Sequence, residues 1–401
     1  MKIFFDARLI NYAGLGRYER ELIAELLKLN PDITFYVIGE KDKITSYIND
    51  FKLNSKNFVV IDLKIKKYTF SEQFKLINII RNMELEKKVD IFLFPHFNVP
   101  FLYIPKNSAV IVHDLTFFHF PRYFGRIKTM LAKLVLKNIL IKAKKIITVS
   151  NFVKNDIINM FGYESGKHKN SKLDKNILQD KITVVYSGYS PKFKPASEDK
   201  IKEFKIKNNL DLFILYCGNR KKHKNIINLI KAFMEVKKEF ADLKLVLIGK
   251  RFERPNKQDF IDEFINKNGV KDVISVEYAS DDDLNLYYSA SSAFVFISLS
   301  EGFGFAPLEA LASGAKLILA DNSALPEIFG NSAVYVNPYD INDIAGAIKK
   351  ILKLSPNNKE KQEQETEDKY KSARETILSS YPNDLWAKNI LKVLNNIKPN
   401  S

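Results

Sequence analysis

Two carboxylates, Glu301 and Glu309, flank a Gly-Phe-Gly turn with seven residues between them, in the stretch Ser298-Leu-Ser-Glu-Gly-Phe-Gly-Phe-Ala-Pro-Leu-Glu-Ala-Leu-Ala-Ser-Gly314. A carboxylate accepts two hydroxyl hydrogen bonds at once, which is how a protein grips the paired hydroxyls of a sugar or a ribose. The apolar run Ala293–Ile297 ahead of them reads as a buried strand. Pro307 marks the start of a helix and Gly314 its stop. The expected order is strand, glycine loop, short helix, with Glu301 in the loop and Glu309 in the first helical turn. Gly302 and Gly304 let backbone approach a ligand, and a helix N-terminus offers unpaired N–H groups to a phosphate. The chemistry implied is binding of a sugar through its phosphate. Taken singly, each carboxylate has a plainer explanation. Glu301 fits a solvated loop residue, and the helix dipole alone favours Glu309 by about 0.3–1 kcal/mol.

A second concentration of chemistry follows the apolar run Phe213–Cys217. Gly218-Asn-Arg-Lys-Lys-His-Lys-Asn225 crowds four basic residues and His223 into one strand-to-helix loop. An anion relieves their mutual repulsion; a solvated basic loop is the plainer alternative. In the first half, His113-Asp114 closes the run Ala109–His113 and His96 follows Asp90–Phe94. Both histidines stand where a parallel sheet presents its carboxyl edge to ligands. For His113 the plainer reading is a strand cap. Gly14-Leu-Gly16-Arg17 follows the first strand, a weak signal on its own, because glycines after a first strand are common in doubly wound domains.

These residues need a scaffold, and the hydrophobic pattern supplies one. Strands are expected at residues 2–5, 34–38, 58–61, 90–94, 109–113 and 145–149, with helical spacing between them, as in residues 71–88. Val184–Pro195, with one Gly and two Pro, reads as an interdomain linker. A second set follows at 213–217, 243–248, 273–276, 293–297, 316–319 and 333–336. Strands alternating with helices imply parallel sheets covered on both faces. Residues 164–181 read as a polar surface loop, 357–368 as an exposed charged segment, and 384–394, with Trp386, as a terminal amphipathic helix.

Composition sets further bounds. The chain has 401 residues, 46% of them hydrophobic, enough for two or three packed domains and unlike a disordered chain. One cysteine, Cys217, excludes an internal disulfide framework and fits a reducing compartment. Asp6 and Arg8 interrupt the first apolar residues, so no secretory signal is expected. The uncharged run Leu284–Ser300 has 17 residues, five of them serines, too short and polar to span a bilayer. Net charge is +16, and residues 1–190 carry 31 Lys+Arg against 18 Asp+Glu. Part of this excess is a general Lys richness; the rest implies an anionic partner, whether lipid, nucleic acid or a phosphorylated substrate. Arg122–Lys145 holds eight basic residues and no acidic one, with Phe124, Ile127, Leu131, Leu134 and Val135 at helical spacing. Such a helix suits an anionic lipid surface or simply solvent.

Glu301-x7-Glu309 resembles the signature of the retaining glycosyltransferases of family 4. The likeness continues through Ala320-Asp-Asn-Ser-Ala-Leu-Pro-Glu327, Ala333–Pro338, Val112-His-Asp-Leu-Thr116 and Thr148-Val-Ser-Asn-Phe152, and it covers nearly the whole chain. Where the family has Gly-Gly-x-Gly-Arg, this chain has Ala13-Gly-Leu-Gly-Arg17. The resemblance implies a GT-B fold: two doubly wound Rossmann-like domains facing across a cleft, residues 1–190 on the acceptor side and 191–375 on the nucleotide-sugar side, with a last helix, 376–401, crossing back. It implies a metal-independent retaining hexosyltransferase without a cofactor, taking a nucleotide diphosphate sugar to a glycan or lipid-linked acceptor. The expected place is the cytoplasm, with the basic first domain suited to the inner face of the membrane, and no nucleic acid partner is expected. The basic loop resembles mannosyltransferase-like members, which favours GDP-mannose over UDP-sugars. By the same likeness His113 acts at the reacting centre and Glu301 on the sugar. Gly16, Arg17, Arg220, Lys224, Gly302, Phe303, Gly304, Phe305 and Glu309 then hold the donor, Glu309 through its ribose. Two other classes remain open. A phosphorylase on this architecture needs a pyridoxal phosphate lysine motif, which is not found. A non-enzymatic basic scaffold on membrane or nucleic acid has no need of either glutamate.

Overall fold

The computed structural model describes residues 1–65, 69–163, 173–251, 259–353 and 361–397. The chain divides into two units, Met1–Gly188 with Asn383–Ser401, and Tyr189–Pro382.

The first unit is built on seven parallel strands, β1 Lys2–Asp6, β2 Thr34–Gly39, β3 Phe58–Asp62, β4 Ile91–Phe94, β5 Ser108–Val112, β6 Lys145–Thr148 and β7 Ile182–Val184, in the order β3-β2-β1-β4-β5-β6-β7. β4 and β5 are buried along their whole length. Helices on both faces leave such strands no polar side, so they read as unbroken apolar runs instead of alternating ones. In register, Phe4 lies between Tyr36 and Phe92, and its ring packs on those of Phe92 and Phe94 at 5.4 and 5.6 Å.

The second unit repeats the plan with β8 Phe213–Cys217, β9 Lys244–Ile248, β10 Val273–Val276, β11 Ala293–Phe296, β12 Leu317–Ala320 and β13 Ala333–Val336, ordered β10-β9-β8-β11-β12-β13 and again parallel. Each sheet therefore reverses its winding once, between β1 and β4 and between β8 and β11. A doubly wound sheet opens a crevice at the carboxyl ends of the strands on either side of that switch.

Sequence spacing places the linker at 184–195; the crossing lies between Gly188 and Tyr189. The resemblance starts the returning segment at 376. In the structure the helix Lys361–Ser380 runs through that position within the second unit, and Arg374 fastens it by bonds to the carbonyls of Leu311 and Ala312, at 2.7 and 2.6 Å. The return comes after Pro382, where the helix Asn383–Asn395 joins the first unit and sets buried Trp386 4.7 Å from the Tyr18 ring.

Other expectations change. Of the expected loop 164–181, residues 164–172 lie outside the described residues, and Lys175–Lys181 is a helix capped by the Asp174 carboxylate. Of the charged segment 357–368, residues 357–360 lie outside the described residues and the rest is helical. The glycines after β1 do not form an open loop, because the helix Ala13–Leu29 already includes Gly14 and Gly16.

Candidate active site

The loops on either side of the second switch carry the charged residues that the sequence singles out. The loop after β8 holds Arg220 and Lys224, and the loop after β11 holds Glu301. Lys224 Nζ lies 2.5 Å from Glu301 Oε1, both side chains mostly buried, and 5.2 Å from the centre of the Phe296 ring. The two loops are also laced by backbone. The His223 carbonyl accepts the Leu299 N–H at 2.8 Å and the Ser298 hydroxyl at 3.3 Å. Asn225 takes a left-handed backbone, φ 61°, and its amide donates to the carbonyls of Ile297 and Pro338 at 3.3 and 2.6 Å. On its far side Glu301 is held by its own N–H, which donates to Ser323 Oγ at 3.1 Å.

Arg220 is 1% exposed. Its Nη1 donates to Asp262 at 2.8 Å, with Asp259 3.7 Å away. Among the described residues, its buried Nε and Nη2 have no hydrogen-bond partner. Leaving buried N–H donors of a charged group unmet is costly, and an anion is the partner that meets the cost. Asp262 is shared with Arg251, whose Nε lies 2.6 Å from it, so one carboxylate steadies two guanidiniums. Burial, with the positive charges of Lys224 and Lys221 beside it, pushes His223 down to about 3, so its imidazole is neutral at ordinary pH. Burial and the neighbouring Glu301 charge push the Tyr216 phenol well above its usual range, and Tyr216 Oη donates to the Asn219 carbonyl at 2.9 Å.

Glu309 stands one turn further along than expected. The helix begins at Phe305, not at Pro307, because Gly304 at φ 108° supplies the turn into it. A side chain at Gly304 is strained at that angle, and its Cβ meets Leu325 at 3.0 Å and Phe329 at 3.1 Å. Glu309 thus sits in the second turn, buried, with Tyr288 Oη donating to it at 3.3 Å. Gly302 is buried in the turn and Phe305 half-buried at the head of the helix. Phe303 is buried too, its ring edge-on to Tyr381 at 5.7 Å, a packing role.

The first unit treats its candidates differently. The Gly16 N–H, expected to face a ligand, donates to the Tyr12 carbonyl at 2.9 Å as part of the helix. Its glycine is required by close approach, since a Cβ there falls 2.3 Å from the Ile10 carbonyl oxygen. Arg17 follows it half-buried in the same turn. His113 leaves the end of β5 with Nε2 2.8 Å from the Pro95 carbonyl and its ring 4.5 Å from Tyr18. Burial lowers its pKa against the opposing pull of Pro95 and Asp114. The first switch holds a charged cluster that spacing alone does not single out. Arg8 bonds bidentately to Asp6, at 2.8 and 2.6 Å, and also to Glu72 and the Asn98 carbonyl. His96 Nε2 lies 3.7 Å from Asp6 and 3.9 Å from Glu19. Burial pushes the Asp6 carboxyl up, but Arg8 and His96 together bring it below the usual carboxylate value. One signal is present in the sequence: Thr69-x-x-Glu72 is a capping box, formed as written, which fixes where Glu72 enters.

Comparison with known proteins bears on the class of the chain. Residues 197–371 match the model of the family described as glycosyl transferases group 1. The O-antigen chain mannosyltransferase B of Escherichia coli is 25% identical over 367 residues, 88% of this chain and 91% of that one. The O-antigen chain mannosyltransferase RfbU of Salmonella typhimurium is 28% identical over 261 residues, 65% of this chain and 64% of that one. Among solved structures, Anabaena Alr3699/HepE in complex with UDP-glucose superposes with a TM-score of 0.74 at 14% identity, covering 99% of this chain and 100% of that one. Fold and comparisons define the class: this is a glycosyltransferase of the GT-B fold. Its second unit carries the group 1 glycosyl transferase domain, as the resemblance to family 4 implies, and its relatives include mannosyltransferases of O-antigen synthesis. Among the described residues no helix is long and apolar enough to cross a membrane.

Proposed function

We propose that this chain transfers a hexose, with retention and without a metal, from a nucleotide diphosphate sugar to a hydroxyl of a growing glycan or lipid-linked acceptor. GDP-mannose is the favoured donor, since the relatives named above are mannosyltransferases; UDP-sugars come second. The observation that carries the reading is the pair of cations at the second switch. Among the described residues, Arg220 has buried donors with no acceptor, and Lys224 has only Glu301 within ion-pair reach.

The chemistry follows from that arrangement. Cleaving the donor bond builds negative charge on the departing diphosphate and positive charge on the sugar ring. Arg220 and Lys224 stabilise the diphosphate as it forms, the largest single contribution a fixed site makes to such a step. As Lys224 turns to the phosphate, Glu301 is freed to accept sugar hydroxyls, so the resting ion pair is exchanged for two ligand contacts. Glu309, oriented by Tyr288, takes the ribose hydroxyls. Gly302, Phe303, Gly304 and Phe305 shape the loop around the donor. His113, with Gly16 and Arg17, is assigned to the first unit's part in the reaction, the imidazole acting in its neutral form. No cofactor is required, and the enzyme is assigned to the cytoplasm and the inner face of a membrane.

The test is a panel of GDP- and UDP-sugars against the purified chain, read by thermal stabilisation and slow donor hydrolysis, with and without a chelator. GDP-mannose is expected to stabilise most, and hydrolysis to survive chelation. The anomeric configuration of the product, read by NMR, checks retention. Absence of stabilisation by any nucleotide sugar overturns the reading; unchanged binding in both Glu301→Ala and Glu309→Ala overturns the site.

A further inference from the structure

The helix Arg126–Lys142 is fully buried only along part of its second half; in its first half one side is half-buried through Thr129 and Ala132. Its second half buries Leu136, Ile139 and Leu140. Its first half leaves Ile127, Met130, Leu131 and Leu134 exposed at 73%, 58%, 52% and 56%. Their spacing, i, i+3, i+4, i+7, puts all four on one face. The stripe ends one turn on at Asn138, whose side-chain amide donates to the Phe101 carbonyl. The residue after Phe101, Leu102, is itself 53% exposed. Scattered apolar residues on a surface are ordinary, but a contiguous stripe of large aliphatics marks an interaction site.

The charges around the stripe select the partner. Arg126, Lys128, Lys133 and Lys137 are exposed on the same helix, and Arg122–Lys145 contains no acidic residue. The helix has no acidic residue in its first turn and no side-chain cap. Arg126 and Lys128 thus sit near the end where the helix dipole disfavours positive charge. Their placement serves something outside the helix. A second copy of the same face brings like charges together with no acid to offset them.

The geometry points to docking on an anionic lipid bilayer. Ile127, Met130, Leu131 and Leu134 enter the headgroup boundary, while Arg126, Lys128, Lys133 and Lys137 meet lipid phosphates. The helix lies in the interface plane and does not cross it. This deepens the membrane assignment of the proposed function and rests on that reading only for the leaflet.

The test is flotation of the full chain with phosphatidylcholine vesicles, with and without phosphatidylglycerol. The chain is expected to float with the anionic vesicles and not with phosphatidylcholine alone. The triple variant Ile127→Ser, Leu131→Ser, Leu134→Ser and the triple variant Arg126→Glu, Lys128→Glu, Lys137→Glu are each expected to lose binding by about tenfold or more. Because these side chains are exposed, both variants keep the unfolding midpoint and the donor hydrolysis of the parent in solution. Failure of the parent chain to float with anionic vesicles overturns the proposal. So does flotation of the serine variant equal to the parent's, or sedimentation showing that the serine changes break a dimer without touching flotation. Intact flotation without donor hydrolysis sinks the proposed function and leaves this surface standing.

Discussion

Each sheet has one switch point, and each places a buried arginine beside it: Arg8 after β1 in the first unit, Arg220 after β8 in the second. Arg8 spends every nitrogen on the protein, through Asp6, Glu72 and the Asn98 carbonyl. Arg220 spends one on Asp262, and among the described residues its other two nitrogens meet no acceptor. A guanidinium whose donors are all met by the chain belongs to the fold. Arg220, with Asp262 at 2.8 Å, Asp259 at 3.7 Å and two buried nitrogens unmet among the described residues, is the one to which the proposed function gives a ligand. On the function proposed above, the same residue type at equivalent places in two repeats of one architecture is divided between stability and binding by its acceptors.

The sharpest way to break that contrast is to remove both arginines in turn. Arg8→Met leaves Asp6 and Glu72 buried without their partner. Losing one member of such a pair costs about 3–5 kcal/mol, to be read as a fall in the urea midpoint. Arg220→Met is expected to cost far less stability, because its loss also ends the burden of unmet donors. Equal destabilisation by both would erase the distinction.

Lys224→Ala comes next. It is expected to lower turnover by about 10²–10³, the range for removing one charge-stabilising donor from a reaction site. Glu301→Ala is expected to fall in the same range, and the double variant to lose less than the two losses multiplied, since the pair acts as a unit. Full additivity argues that Lys224 and Glu301 work apart, against the exchange of partners proposed above.

Much of this architecture is legible in the sequence. The twelve expected strands lie within a residue or two of their places, because parallel strands covered on both faces leave long apolar runs. Lys224 and Glu301 stand out as charges crowded into loops after apolar runs, and they meet. What escapes the pattern is local. Pro307 suggests a helix start, but Gly304 at positive φ has already turned the chain, which moves Glu309 out of the first turn. Gly16 suggests an open phosphate loop and is a packing glycine inside a helix. The cluster at Arg8 joins residues 6, 8, 19, 72 and 96, a set that no local spacing links, and burial decides its meaning. Likewise the start of the helix Lys361–Ser380 reads as merely exposed, since its charged first half carries no apolar periodicity.

A pH titration separates the units by a third route. His223 has a folded pKa of about 3, below the ordinary 6.5 of the unfolded chain. Its folded state therefore binds fewer protons than the unfolded one between those values. Stability from this group is fully present above pH 6.5 and drains away as pH falls towards 3. By pH 4 the loss is about 3 kcal/mol. His119 runs the other way: its bond to Asp156 raises its pKa, so its contribution is full below 6.5 and is lost as pH rises through the raised value. His223→Gln is expected to flatten the acid limb of the unfolding free energy, and His119→Gln only to trim the neutral one. An acid limb unchanged by His223→Gln defeats this assignment.

The smallest effect expected tests Glu309. Tyr288 is buried beneath it, and its hydroxyl donates to the carboxylate at 3.3 Å, a long bond. Tyr288→Phe keeps the ring and its packing on Phe294 and Phe193, and it removes only the donor. A net loss of about 1 kcal/mol follows from one such bond. If the hydroxyl orients Glu309 towards the ribose, that loss appears as a roughly fivefold rise in KM for the donor with kcat unchanged, because ribose contacts are made equally in ground and transition states. If Glu309 merely completes the packing of the helix, the same loss appears in the unfolding midpoint and KM stays put. The two readouts are independent, so one variant decides whether the second carboxylate of the pair belongs, like Arg8, to the fold, or, like Arg220, to the ligand.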